Sequence, residues 1–163
     1  MSKKNQIIIS ITQELVDEYN AYYLSKNKRR RKPAIDSPLL PSLNKWMIMK
    51  RPMMNALKQR WKDFIIYICE KQGIDGLMID KCTIEVKLTF HDRRRRDLDN
   101  YIASMKFVQD GLSAEEGCGV IIDDSYSHIT YLGGTAEYKK GIKQTDIIIT
   151  YYFTQEMTTN RKY

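Results

Sequence analysis

Residues 91–100 read His-Asp-Arg-Arg-Arg-Arg-Asp-Leu-Asp-Asn, with four consecutive arginines running into two carboxylates spaced i, i+2. Guanidinium groups pair with phosphate, often through two parallel hydrogen bonds. Carboxylate oxygens are the ligands that hard divalent cations such as Mg²⁺ prefer. Hydrolysis of a nucleic-acid backbone needs both kinds of group side by side, so the stretch fits the centre of a metal-dependent DNase. A second reading stands beside it. Arg93, Arg94, Arg95 and Arg96 could pair with Asp92, Asp97 and Asp99 in a self-neutralising surface loop, an arrangement worth little energetically.

Spacing sharpens the first reading. Within a regular helix Asp97 and Asp99 would diverge. In extended backbone they share a side, with Leu98 pointing opposite. Between a strand end and a helix start, both carboxylates can aim at one site while Leu98 anchors in the core. A helix N-terminus also favours nearby anions. Asp123-Asp124 is a second acidic pair beyond one helix, and three or four aspartates from two segments suit one or two Mg²⁺ ions. Acidic doublets also occur in ordinary turns. On a continuous helix Asp99, Ala103, Lys106 and Asp110 fall close to one face. Lys106 then leans back toward a phosphate held at Asp97 and Asp99, or forms an i, i+4 pair with Asp110.

The surrounding pattern must position these groups. Ile84, Val86, Leu88 and Phe90 alternate with Thr83, Glu85, Lys87 and Thr89, which predicts a strand over 83–90 that ends at the charge cluster. Leu98, Ile102, Met105 and Leu112 predict a helix from 99 to 112, with Asp110-Gly111 and Gly117-Cys-Gly119 as stop signals. Upstream, residues 6–11 predict a short strand, and Thr12 caps a helix through Glu14, Leu15, Val16, Tyr19 and Tyr22. The run Lys-Asn-Lys-Arg-Arg-Arg-Lys over 26–32 is either a solvated loop or a phosphate-tracking arm. Pro33, Pro38 and Pro41 predict an extended connection, with a turn at Pro41-Ser-Leu-Asn44. Met54, Leu57, Trp61, Phe64, Ile65 and Ile68 share one face of a helix over 52–72, ended by Gly73. Strands near 126–132 and 146–153, joined by a turn at 139–143, predict a hairpin-like end. The element order predicts an α+β two-layer domain with a small mixed β-sheet packed against helices.

A chain of 163 residues with 42% apolar content supports a globular core. The net charge of +7 points toward a polyanion. The longest unbroken apolar run, residues 64–69, is far short of a membrane span. The apolar stretch after Met1 is too short for a signal peptide, so a cytoplasmic protein is expected. Cys69, Cys82 and Cys118 show neither a CxxC spacing nor an even count, and His91 and His128 are too scattered for a histidine metal site.

These residues resemble the RusA-type Holliday junction resolvases. Residues 92–100 match that family's central motif over its full length. The Lys106-x-x-x-Asp110-x-Leu112 pattern and Asp123-Asp124 follow in the family's order. Pro41-Ser-Leu-Asn44 with Lys45-Trp46 is similar to its N-terminal loop. The likeness covers roughly residues 36–153. It implies a homodimer, dependent on Mg²⁺ with Mn²⁺ as a substitute, that cuts four-way DNA junctions by paired nicks during recombination and repair. It implies Asp97, Asp99 and Asp124 as catalytic metal ligands, Asp123 in support, and Lys106 as the family's helix lysine. The arginine run and Asn100 are the implied DNA contacts. The family's usual lysine position is Ala103 here, so Lys106 requires about one extra helical turn. Residues 1–35 then form an N-terminal strand, helix and basic run added to a RusA-like nuclease region over 36–163, within one compact domain. Two alternatives stand: a branched-DNA-binding protein without catalysis, and a nuclease for other branches such as flaps or forks. The intact aspartate set argues against a pure binder, because clustered anions near phosphate oppose binding.

Overall fold

Strands arise here where apolar side chains recur at every second residue, which places them on one face. A computed structural model describes residues 3–153 of the chain, and residues 1–2 and 154–163, the outer ends of the two expected regions, lie outside the described residues. In chain order the elements are β1 (Lys3–Ile11), α1 (Gln13–Ser25), α2 (Leu43–Trp46), α3 (Arg51–Gln72), β2 (Cys82–Phe90), α4 (Asp99–Ile102), α5 (Met105–Leu112), β3 (Ile129–Tyr138) and β4 (Gln144–Phe153). The strands form one mixed sheet in the order β1-β4-β2-β3. β4 is antiparallel to both its neighbours, whereas β2 and β3 run parallel. The architecture is the expected α+β type, with a mixed sheet and helices. No helix among the described residues is long and apolar enough to cross a membrane.

Ile84, Val86 and Leu88 on β2 are fully buried beside Ile147 and Ile149 on β4, while Glu85 on the opposite face is exposed. The apolar stripe of α3 supplies the other half of the core through Leu57, Trp61, Phe64, Ile65 and Ile68. Pro52 stands in its first turn, where the missing N–H costs nothing. Gly73 ends α3 in the left-handed conformation at φ 69°. Residues 3–25 share this core. β1 pairs with β4 along its length and buries Ile9 and Ile11. The Thr12 side chain accepts from the Leu15 N–H at 3.2 Å, as the capping pattern predicts. Tyr19 of α1 then stacks on Phe64 of α3 with ring centroids 4.8 Å apart.

Three expectations are corrected. β3 and β4 do not form a hairpin, because β2 lies between them. The connection over 139–143 instead crosses the end of β2, where the Lys139 N–H donates to Phe90 O at 3.0 Å and the Gly141 N–H to His91 O at 3.1 Å. Two strand spacings are about 10 Å, a gap that five residues span as easily as they close a turn. The helix expected over 99–112 is broken at Ala103 and Ser104 into α4 and α5. Ser104 is fully buried, and its hydroxyl donates to Pro41 O and accepts from Trp46 Nε1 at 2.8 Å. Those side-chain bonds fix the junction without proline or glycine. Gly111 is no stop signal, since α5 runs through Leu112. A Cβ on Gly111 would lie 2.8 Å from Ile65 Cβ, so this glycine lets α5 close onto α3.

Candidate functional site

β2 carries the chain directly into the charged stretch, and the 139–143 crossing clamps its first residues from above. Beyond Phe90 the backbone is irregular to Asp97. Asp92 organises it. Its Oδ1 accepts from the Arg94 N–H at 3.1 Å and from Arg96 Nη1 at 2.5 Å, and its Oδ2 lies 3.2 Å from His91 Nε2. The Arg96 guanidinium also lies over the Phe90 ring, 4.7 Å from its centroid. The four arginines are therefore unequal. Arg96 is spent internally, with its side chain only 16% exposed. Arg94 and Arg95 project outward, at 85% and 93% exposure. Arg93 lies over Tyr138 of β3 at 4.9 Å.

The bonded Arg96 guanidinium, helped by the Arg94 N–H, holds the Asp92 carboxyl down at about 2 from an ordinary value of 3.8. A carboxyl depressed on folding stabilises the loop above its unfolded pKa. The contribution is present above about pH 4 and is lost as pH falls through about 2. An NMR titration of the Asp92 side-chain carbon should therefore show a midpoint near the lower value, moving back toward the ordinary range in Arg96→Gln. An Asp92 midpoint near 3.8 in the unmodified chain would remove this clamp.

The candidate carboxylates sit on three short segments. Leu98 packs against the core as expected, and Asp97 and Asp99 are both exposed. Leu98 itself is helical, at φ −60° and ψ −36°, and the Asn100 N–H donates back to Asp97 O at 3.2 Å. The extended geometry expected to place the two aspartates on one side thus ends before Leu98, because the helical turn already starts there. Asp97 lies 3.8 Å from Arg95 Nε. Asp99 takes no part in the ion pairs of this run, and its Oδ1 accepts from the Asn100 N–H at 3.0 Å. Asn100 is half-buried.

Asp123 and Asp124 follow the fully buried Val120 and Ile121, which pin the loop next to Ile79. The Ser125 hydroxyl and the Asp124 N–H hold the Asp123 carboxyl below the usual range. Lys106 is exposed on α5 and lines a cleft with Lys58, Lys62, Asp110 and Glu116. Burial, aided by the negative charges of Glu116 and Asp124, pushes the Asp110 carboxyl up, while Lys58 and Lys106 oppose the shift. The fold therefore brings Asp124, Asp110 and Lys106 into one electrostatic neighbourhood. The break at Ser104 ends the single helical face expected to join Lys106 to Asp99.

Asp97, Asp99, Asp123 and Asp124 offer the hard oxygen donors that suit Mg²⁺. Among the described residues, no group of three or more histidine, cysteine, aspartate or glutamate side chains is gathered closely enough to hold a metal ion. The donor chemistry fits, while the donors are not drawn together.

Two further contributors lie outside the charged stretch. Trp46 hydrogen-bonds the Ser104 hydroxyl and stacks on Phe107 with centroids 5.4 Å apart, which ties the 41–46 loop to the α4–α5 junction. The backbone of 139–141 meets the end of β2 through the crossing connection, and the Lys139 ammonium pairs there with Glu137 at 3.3 Å. The first placement rests on side-chain partners distant in sequence, the second on the strand order. No protein-family model matches this chain, and no curated protein matches it at a significant level.

Proposed function

We propose that this protein is a Mg²⁺-dependent endonuclease that cuts branched DNA, four-way junctions above all, in the manner of the resolvases its central motif resembles. The observation that carries the reading is the end of β2. There an internally braced Asp92–Arg96 pair presents Arg94 and Arg95 outward, immediately before the exposed carboxylates of Asp97 and Asp99. Arg94 and Arg96 pair with Asp92 and Arg95 with Asp97, as the self-neutralising reading also expects, and these pairs leave the Asp99 carboxylate out.

In this reading Arg93, Arg94 and Arg95 hold backbone phosphates. Arg96 positions them by bracing the loop. Asn100 contacts the same DNA segment. Asp97, Asp99 and Asp124, with Asp123 in support, are the carboxylates that would hold Mg²⁺ once drawn together, and water activation and charge neutralisation at the scissile phosphate are the chemistry it would supply. Lys106 acts as a point charge near that phosphate. A homodimer supplies two equivalent sites for two strands related by near two-fold symmetry.

The test is incubation of a synthetic four-way junction, a flap, a fork and a linear duplex with the protein and Mg²⁺. Paired nicks in the junction at a rate well above those in the other substrates support the reading. No product from any of them would favour a binder without catalysis, and equal cutting of flaps and forks would broaden the substrate class.

Binding should also respond steeply to salt, because each neutralised phosphate releases a counterion. Removing one such contact by Arg95→Gln should reduce the slope of log K against log salt by about 0.9 on duplex arms. Arg94→Gln should do the same. A slope unchanged in both variants would show that the outward arginines do not meet phosphate.

A further inference from the structure

The segment between α2 and α3 displays large apolar side chains where burial is the rule. Met47 is 60% exposed and Ile48 82%, and Met53 in the first turn of α3 is 57% exposed. Their neighbours explain the display. Trp46 and Met49 on either side pack against the core, so the backbone is anchored at both ends of the Met47-Ile48 pair. The Met47 N–H donates to Leu43 O at 2.9 Å and the Met49 N–H to Trp46 O at 3.2 Å. The tip is thus a hydrogen-bonded knob facing outward.

Charge and position say what it meets. No aspartate or glutamate occurs between Asp36 and Asp63, while Lys45, Lys50, Arg51, Lys58, Arg60 and Lys62 fall in that interval. Lys45 lies 3.4 Å from Asp36, both exposed, and the ion pairs among the described residues leave Lys50 and Arg51 aside. The knob is also tied to the candidate site. The Trp46 indole bonds Ser104, which opens α5 one residue after the end of the α4 turn carrying Asp99 and Asn100. A second copy of the chain would bring the same cationic segment against itself. A nucleic acid offers what the knob lacks, phosphates for the cations and base faces for the apolar tip. Apolar side chains flanked by lysine and arginine are the groups that enter between base steps and unstack them.

We propose that Met47 and Ile48 form a wedge that inserts into the partly unstacked base step at a DNA branch, with Lys50 and Arg51 on the flanking phosphates. Unstacking costs least where stacking is already interrupted, so a wedge of this kind favours branched over continuous duplex. The proposal rests on the branched-DNA reading given above.

The test uses the full chain in EDTA, so that no cutting intervenes, and a four-way junction carrying 2-aminopurine at the branch point. The unmodified protein should raise the 2-aminopurine emission on binding. The double variant Met47→Ser/Ile48→Ser should bind linear duplex as before, lose the emission rise, and bind the junction about tenfold more weakly, a loss of the order expected for exposing one large aliphatic side chain. An equal rise in the variant overturns the wedge. Sedimentation showing that the variant alone is monomeric would assign the knob to a second copy and also overturn it. Loss in the variant of binding to anionic phosphatidylglycerol vesicles, with the emission rise kept, would assign it to a membrane surface. Junction binding by the unmodified protein without an emission rise sinks the wedge alone, whereas no binding to any DNA sinks the branched-DNA reading with it.

Discussion

Asp99→Asn should lower Mg²⁺-dependent nicking of a four-way junction by about a thousandfold or more while leaving junction binding intact. The substitution keeps size and shape but removes a negative charge and one strong oxygen ligand. Its structural cost is small, for reasons visible around the residue. Asp99 is exposed, stands outside the ion pairs of the arginine run, and its carboxylate accepts from its neighbour's N–H. An asparagine oxygen can keep that bond. What it forfeits as the first residue of α4 is a favourable charge at a short helix N-terminus, worth about 0.3–1 kcal/mol. Removing a carboxylate beside phosphate should also leave DNA affinity unchanged or slightly raised. The measurement is a single-turnover nicking rate beside an anisotropy titration in EDTA. Cutting at the original rate would strike Asp99 from the site. Loss of binding together with cutting would assign it a structural role instead.

Gly117→Ala should destabilise the fold by roughly 3 kcal/mol or more, at the upper end of what overpacking costs. The cause is space rather than backbone angle. A Cβ at this position would stand 2.0 Å from Gly111 O, 2.3 Å from Gly111 C and 2.6 Å from Asp110 O. These are main-chain atoms at the end of α5, and they cannot rotate away. Gly111 itself is held because its own α-carbon closes onto Ile65 of α3. The Gly117 N–H donates to Ser113 O and the Cys118 N–H to Gly111 O, both at 3.0 Å, so the loop folds back on the helix end. Relief requires the loop to lift, and that loop leads to Asp123 and Asp124. Urea denaturation should show a lower midpoint with an unchanged slope. Where enough folded protein survives, nicking should fall as well. A midpoint equal to that of the unmodified chain would mean that the helix end gives way more easily than the close approach implies.

The elements that hold the candidate site were legible where local pattern and burial agree. The alternation over 83–90 marks β2 because every second residue enters the core. The stripe from Leu57 to Ile68 marks α3 for the same reason at helical period. The approach of a strand to the His-Asp-Arg cluster follows from those patterns alone. The likeness of residues 92–100 to a nuclease motif needed only residue types and order, since charge density of that kind has few uses.

Tertiary structure decided what depends on partners distant in sequence. The helix after Asp99 breaks because Ser104 bonds Pro41 and Trp46, and a serine in a helical pattern does not announce such partners. β3 and β4 sit apart because β2, with its more apolar inward face, takes the place between them, while a five-residue connection suits either outcome. That placement brings the backbone of 139–141 against the end of β2. Side-chain packing within the loop sets Arg96, bonded to Asp92 and laid on Phe90, apart from the arginines that face outward. By itself the amino-acid sequence determined which groups could meet a phosphate and a metal. Which arginine braces and which projects was settled only by packing, because four identical side chains differ in nothing but their neighbours.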